Sequence, residues 1–422
     1  MQFLADWIED ALNASAEERA TMCELKIMVG DDNASSHWDV HDRYAYEAVT
    51  VPTVHLAEGI ATDWWSIFGG RDKQHPIAPY RTGFILPCLS FKCDGSTFEI
   101  LGEQMDCENP GLRFWKPDNE VIPRCDAERA LSDFVEKTIQ RLVMAGIDDA
   151  EVQFQWSRIS ESRQDPEQTA FCEAAGALGV NPFTIDEWDE ELILEAGEIF
   201  NGTSLVDFLA GVATLEDKQR RSTLRSVRNV DRQMGEESRL PHLREAACEV
   251  DDGFKQQRPN EGAWGPGYRV ARALRQTLDM PESRPFESVT HMAKMLGCER
   301  FGSTDRLPGI NAVVSRHDDI HIHLASSFHG AWWSDSFNFA RAVGDAVCFP
   351  GGGLSVVNGL HGAERQAMGR AFAAEFLAPV GMVALMNREG LDHDEIAGRF
   401  AVSPQVIQRQ LENRGRIEMA CT

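Results

Sequence analysis

No two cysteines in this 422-residue chain are spaced as C-x-x-C, although it has ten. That spacing would mark a zinc ribbon or a dithiol redox motif, so both are excluded. The local group Cys88, Cys93, Cys107 and Cys125 has gaps too irregular for a zinc knuckle. Scattered single cysteines read as reduced thiols of a cytoplasmic protein. No window approaches eighteen uninterrupted apolar residues, and the start MQFLADWIEDAL has acids where a signal peptide carries its basic region. The expectation is no secretory leader and no membrane-spanning helix. Positive charge is also scarce: 41 Lys and Arg face 67 Asp and Glu, a net charge of −26. Phosphate would be repelled over most of such a surface, which argues against a nucleic-acid coat or an anionic-membrane binder. The loop Pro350-Gly351-Gly352-Gly353 lacks the Gly-Lys-Ser/Thr ending of a phosphate cradle and reads as a connector.

The 43% hydrophobic and 26% charged content is that of an ordinary folded protein, long enough for two or three cores. The pattern reads as α+β. Residues 1–160 read as a mixed domain of unknown role. It has a helix over 3–12, an amphipathic helix carrying Leu56, Ile60, Trp64 and Ile67, and strands over 82–92 and 97–101. Asp94-Gly95 between those strands suits a hairpin turn. A short strand over 112–115, a helix over 127–145 and a strand over 151–159, with Val152, Phe154 and Trp156 alternating, complete it.

Residues 161–260 read as a helical connector. Asp165-Pro166 opens one helix and Gly179 stops it. An acidic helix around residues 186–198 precedes a basic run, Lys218, Arg220, Arg221, Arg225, Arg228 and Arg232. Mutual neutralisation of the two is the simplest reading, and a grip on an acidic partner or nucleic-acid backbone the alternative. Residues 248–267 suit a linker.

From residue 261 onward the pattern gives helices over 268–278 and 287–296, then strands over 310–314 and 320–324 joined by the polar turn Arg316-His317-Asp318-Asp319. A helix follows over 337–349, then another over 363–377, broken at Pro379. Along 337–349, Phe339, Val343 and Val347 form a core stripe, and Arg341 and Asp345 share the adjacent face one turn apart.

Phe337-Asn338-Phe339-Ala340-Arg341-Ala342-Val343-Gly344-Asp345 resembles the F-[ST]-x-A-H-E-x-G-H core of the ImmA/IrrE family, intracellular zinc peptidases that cut transcriptional repressors. Phe372-Ala373-Ala374-Glu375-Phe376-Leu377-Ala378-Pro379 is similar to that family's F-A-x-E-L-L-M-P helix. Ile396-Ala397-Gly398-Arg399-Phe400-Ala401-Val402-Ser403 is similar to its L-A-x-x-F-x-V-S segment. The three occur in the family's order. The resemblance implies a zincin-like domain with a small sheet and helices over residues 261–422.

The departures bear on function. Arg341 stands at the first zinc-ligand position and cannot coordinate a metal. Ala342 replaces the general base. Asp345 stands at the second ligand position and Gln366 at the third, with Glu364 two residues before it, off the matching face of a regular helix. The sequence therefore reads as a peptidase scaffold without its chemistry and without a cofactor, Arg341 and Asp345 forming an i, i+4 ion pair in the place of zinc.

What the resemblance implies for partners is a protein, recognised rather than cut: a repressor, an antitoxin-like regulator, or a stress or phage-defence component. His321 and His323, on one face of a strand beside the cleft, are candidate partner contacts together with His329, Arg341, Asp345 and Glu364, and that strand edge would take an extended peptide. With His329 and His361 they also leave open a relocated metal site and hence a metal-dependent peptidase. The segment 392–415 reads as helix, turn, helix. Gln405, Gln408 and Arg409 are the residues that would touch base edges in the alternative of a DNA-binding regulator.

Overall fold

Met22–Val29 sends Cys23, Leu25, Ile27 and Val29 to the core face of its sheet and the residues between them mostly to the other, while a strand on each side satisfies its backbone. The computed structural model describes the chain apart from residues 9–13, 72, 104–110, 234, 257, 259–261, 263, 305, 326–331, 361–362 and 416–422. The chain is α+β and divides into two units, Met1–Ile185 and Asp186–Thr422. Residues 161–260 are thereby shared between them.

In the first unit β1 (Gln2–Trp7) runs antiparallel to β2 (Met22–Val29), from Gln2 opposite Met28 to Trp7 opposite Cys23. A helix was expected there. Six residues with one buried anchor, Phe3, take whichever structure satisfies their backbone, and β2 offers a full ladder. After β3 (His37–Asp39) and β4 (Tyr44–Tyr46), α1 (Thr53–Gly69) buries Leu56, Ile60, Trp64 and Ile67, as its period requires. The hairpin of β5 (Leu89–Cys93) and β6 (Thr97–Gly102) turns at Gly95, whose φ of +111° favours glycine. Asp94 Oδ1 accepts from the backbone of Ser96 and Thr97 to fix the turn. β7 (Leu112–Phe114) and α2 (Arg124–Met144) lie where the sequence places them.

Residues 151–159 are not a strand but the body of α3 (Glu151–Ser162). Val152, Trp156 and Ile159 are buried and Phe154 is 58% exposed, so i, i+4, i+7 is the period in force. α4 (Pro166–Leu178) is capped by Asp165 and ended by Gly179 at φ +88°.

In the second unit the acidic α5 (Glu187–Gly197) is followed by α6 (Thr203–Val212) and the basic α7 (Asp217–Arg232). Asp189 pairs with Arg220 at 3.0 Å, Glu191 with Arg221 at 2.7 Å and Glu198 with Arg228 at 2.9 Å. Much of the basic run is thus neutralised by the acidic helix.

Next come α8 (Trp264–Thr277), β8 (Ser303–Thr304), β9 (Ile310–Ser315), β10 (His321–Ala325), α9 (Trp332–Cys348) and β11 (Leu354–Asn358). β11 is a strand the sequence reading did not contain; all five of its residues are buried. The sheet order is β8-β10-β9-β11, parallel only between β8 and β10. α10 (Glu364–Leu377), α11 (Val380–Arg388), α12 (His393–Phe400) and α13 (Pro404–Glu412) complete the chain. Among the described residues no single helix is long and apolar enough to cross a membrane.

α8 and α9 press closely onto α10, and a glycine permits each approach. A Cβ at Gly267 would lie 2.4 Å from the Met368 carbonyl, and one at Gly344 2.6 Å from the Phe372 ring. Glu375, fully buried on α10, accepts from Arg272 Nε at 2.7 Å, the Val380 amide at 3.0 Å and Gln410 Nε2 at 3.1 Å. One carboxylate therefore joins four helices.

Glycine-to-alanine substitutions test this packing by their sign. Gly398 on α12 has open space around a new Cβ. Gly398→Ala should stabilise the protein by about 0.5–1 kcal/mol. Gly344→Ala should destabilise it by about 1–3 kcal/mol despite the same helix propensity. Denaturant midpoints distinguish the two; equal shifts in the same direction would contradict the close approach.

Candidate functional site

α9 presents its apolar stripe, Phe339, Val343 and Val347, to the core with no exposed surface, so the adjacent Arg341 and Asp345 are drawn inside as well. Both ionic side chains are buried; Asp345 is ion-paired, while Arg341 is hydrogen-bonded to neutral acceptors through its terminal nitrogens and its Nε is unsatisfied. Arg341 Nη2 donates to Gln366 Oε1 at 2.8 Å and to the Asn358 carbonyl at 2.7 Å. Gln366 in turn donates from Nε2 to Asp207 Oδ2 and to the Val356 carbonyl, each at 3.0 Å. Asp345 accepts from Arg365 Nε at 2.5 Å and Nη2 at 2.9 Å, from Ser355 Oγ at 2.5 Å, and from Arg316 Nη2.

The positions 341, 345 and 366 therefore converge, but not through the i, i+4 ion pair expected of them. Asp345 is taken by Arg316 and Arg365, while Arg341 turns to Gln366 and the end of β11. The physical reason is geometry: Arg365 meets the carboxylate with two N–H groups, which gives short, charge-assisted bonds. Gln366, not Glu364 at the start of α10, carries the contact to Arg341. Ala342 is buried against the core.

Sequence reasoning did not find Arg365, Ser355, Asn358 or Asp207, and it placed Arg316 in a turn only. Asp207 comes from α6, far away in the chain. The signal available for Arg365 was its place in the Glu364-Arg365-Gln366 run, beside the third ligand-equivalent position.

Burial pushes the Asp345 carboxyl up, but the charges of Arg365 and Arg316 outweigh it and hold the group well below the usual carboxylate range. Burial, with the charge of Arg370 nearby, pulls the Arg341 guanidinium down to about 9, against Asp345 and Asp207, so it is still a cation at neutral pH.

These donors do not fit zinc. A cation cannot be a ligand, the Gln366 oxygen is bonded to that cation, and the carboxylate of Asp345 is engaged by two guanidinium groups.

His321 and His323 are not beside this network. Val314 pairs with Ile322 and with Ser355, and all three face α9; the register puts His321 and His323 on the opposite face of the sheet. His321 Nδ1 lies 3.1 Å from Ser238 Oγ. Burial pulls His323 down to about 4, so it is neutral at physiological pH. The edge of β10 is also covered. The Ile322 amide donates to the Ser238 carbonyl and the Leu240 amide to the Ile320 carbonyl, both at 2.9 Å, and β8 pairs farther along. An extended peptide has no free ladder there. His329 and His361 lie outside the described residues. Among the described residues, no three His, Cys, Asp or Glu side chains converge as metal ligands.

α12 and α13 form the helix-turn-helix pair the sequence suggested, with Asp392 capping the first and Ala401 at φ +58° making the turn. Gln408 bonds Glu412 at 2.7 Å. Gln405 and Arg409 line a groove of about 690 Å³ walled by Trp264, Tyr268, Trp333 and Phe337.

Compared with protein families, curated proteins and solved structures, the chain matches none. The likeness to the ImmA/IrrE pattern rests on the three sequence blocks quoted above.

Two measurements test the network. Asp345→Asn leaves two buried guanidinium groups without a counter-charge and should cost about 3–5 kcal/mol in chemical denaturation. The clamp's contribution is complete above the ordinary Asp pKa of about 3.9 and is lost as pH falls toward the lowered folded value, so the gap between wild type and variant should narrow in acid. His323 also loses stability in acid, but through burial of a neutral ring and in a higher pH window. Unfolded histidine binds a proton near pH 6.5 and folded His323 only near 4, so acidification across that window destabilises the wild type. His323→Phe should resist it, and parallel stability curves would refute the assignment.

Proposed function

We propose that this chain is a catalytically inactive, ImmA/IrrE-like pseudo-peptidase that binds a protein partner as a regulator in the cytoplasm. One observation carries the reading. At the three positions where the resembled family holds zinc, the side chains are all taken up by partners within the chain, the Arg341 guanidinium against Gln366 Oε1 and Asp345 locked by Arg316 and Arg365. A hydrolytic site needs an electrophile with an open coordination position and a base to activate water. This arrangement supplies a buried guanidinium without such a position, and an alanine where the base would stand.

The chemistry remaining to the domain is recognition. The partner class follows from the resemblance: a repressor, an antitoxin-like regulator, or a stress or phage-defence component. The helix pair α12–α13 packs on the same core through Ile396, Phe400 and Ile407, and the net charge of −26 weighs against a DNA-reading role for it.

Incubating the purified chain with a proteome-derived peptide library and added zinc tests the absence of chemistry. The expected outcome is no new peptide termini beyond those of a heat-inactivated control, by mass spectrometry. New termini that vanish with a chelator and in Asp345→Asn would contradict it.

A further inference from the structure

The groove between α8, α9, α10 and α13 differs from the rest of the molecule in two ways. Its walls are aromatic, from Trp264, Tyr268, Trp333 and Phe337, and its floor is the methyl face Ala367, Ala371 and Ala374 of α10, spaced i, i+4, i+7. Small floor residues leave depth, and about 690 Å³ is room for several side chains rather than a single ion. Its charge is also inverted. Among the described residues Arg370 and Arg409 line it and no Asp or Glu does, in a chain with 67 acids against 41 bases. An acidic ligand is repelled by the net charge of the chain and attracted here, which confers selectivity on encounter.

Arg370 is oriented by a bond from Nη1 to the Leu360 carbonyl, and Arg409 projects from the exposed side of α13. Gln405, Ser403 and Asn413 add polar groups along one wall, suited to a ligand that brings backbone amides and carbonyls as well as side chains.

From this we infer that the groove docks a short acidic segment of a partner protein, an aromatic or long aliphatic anchor entering over the alanine floor with a side-chain carboxylate beside Arg409 and Arg370. Aromatic and Arg residues around a desolvated pocket are the usual composition of an energetic centre in a protein interface. The inference deepens the proposed function by naming the partner's chemistry, and it rests on that reading of the chain as a partner-binding protein. It also gives Arg409 and Gln405 a role other than base contact.

The test is selection of a random 12-residue phage-displayed library on the immobilised full chain, followed by anisotropy titration of the enriched peptides. Enriched peptides should be net acidic with at least one aromatic or long aliphatic residue. Arg409→Glu, a charge reversal at an exposed position, should weaken them at least about tenfold. Ala367→Trp should block them by filling the floor; should that variant lose its fold by circular dichroism, Gln405→Trp blocks from the rim. No enrichment, enrichment of basic peptides, or tight duplex DNA binding lost in Arg409→Glu would each overturn the inference. The two readings fail separately. Enriched peptides that bind both variants as tightly as the wild type sink the groove and leave partner binding intact. Enriched acidic peptides that depend on Arg409 but are cleaved sink the inactive reading and leave the groove.

Discussion

A carboxylate held between two guanidinium groups inside a protein is costly to desolvate and harder still to break, and Asp345 is such a group. Arg316 reaches it from the end of β9, Arg365 from α10 and Ser355 from β11, so one side chain of α9 fixes the sheet and the neighbouring helix together. Arg365 Nη1 continues to Ser204 Oγ at 3.2 Å, and Gln366 to Asp207, which brings α6 into the same assembly. Removing one member of such a network exposes the others to an uncompensated low-dielectric environment. The arrangement defines geometry as much as it contributes stability.

That geometry reaches the groove. Phe337 lies one turn before Arg341 on α9, and Arg370 one turn after Gln366 on α10, so the bond between Arg341 and Gln366 sets the separation of two groove-lining residues. The network around positions 341, 345 and 366 and the groove are in this sense one construction, with the buried ions as its frame. Glu375 holds the far side, tying Arg272, the start of α11 and Gln410 of α13 to α10.

Much of this was legible in the sequence, for local reasons. The stripe of Phe339, Val343 and Val347 fixes the rotation of α9, and with it the inward turn of Arg341 and Asp345. Asp165-Pro166, Asp94-Gly95 and Asp392 each announce an end or a turn through their own side chain or backbone. Failures came where the deciding partner is distant. Residues 2–7 became a strand because of β2, and 151–159, read as a strand from the alternation of Val152, Phe154 and Trp156, is helical with Phe154 exposed. Asp345 took Arg316, 29 residues away, over its neighbour Arg341, and Gln366 reached Asp207 across 159 residues. Periodicity says which face is buried; it does not say which buried charge will meet which. The histidines of β10 were placed on a shared face correctly, but which face looked toward α9 depended on strand pairing.

The central claim is that a guanidinium now stands where the resembled family would hold a metal. A high-resolution crystal structure of the zinc-soaked protein, with anomalous data at the zinc edge, addresses it most directly. The account predicts continuous density from Arg341 to Gln366 Oε1 and the Asn358 carbonyl, with no anomalous peak near them. A zinc peak between residues 341, 345 and 366, with Arg341 swung out of the interior, would contradict it.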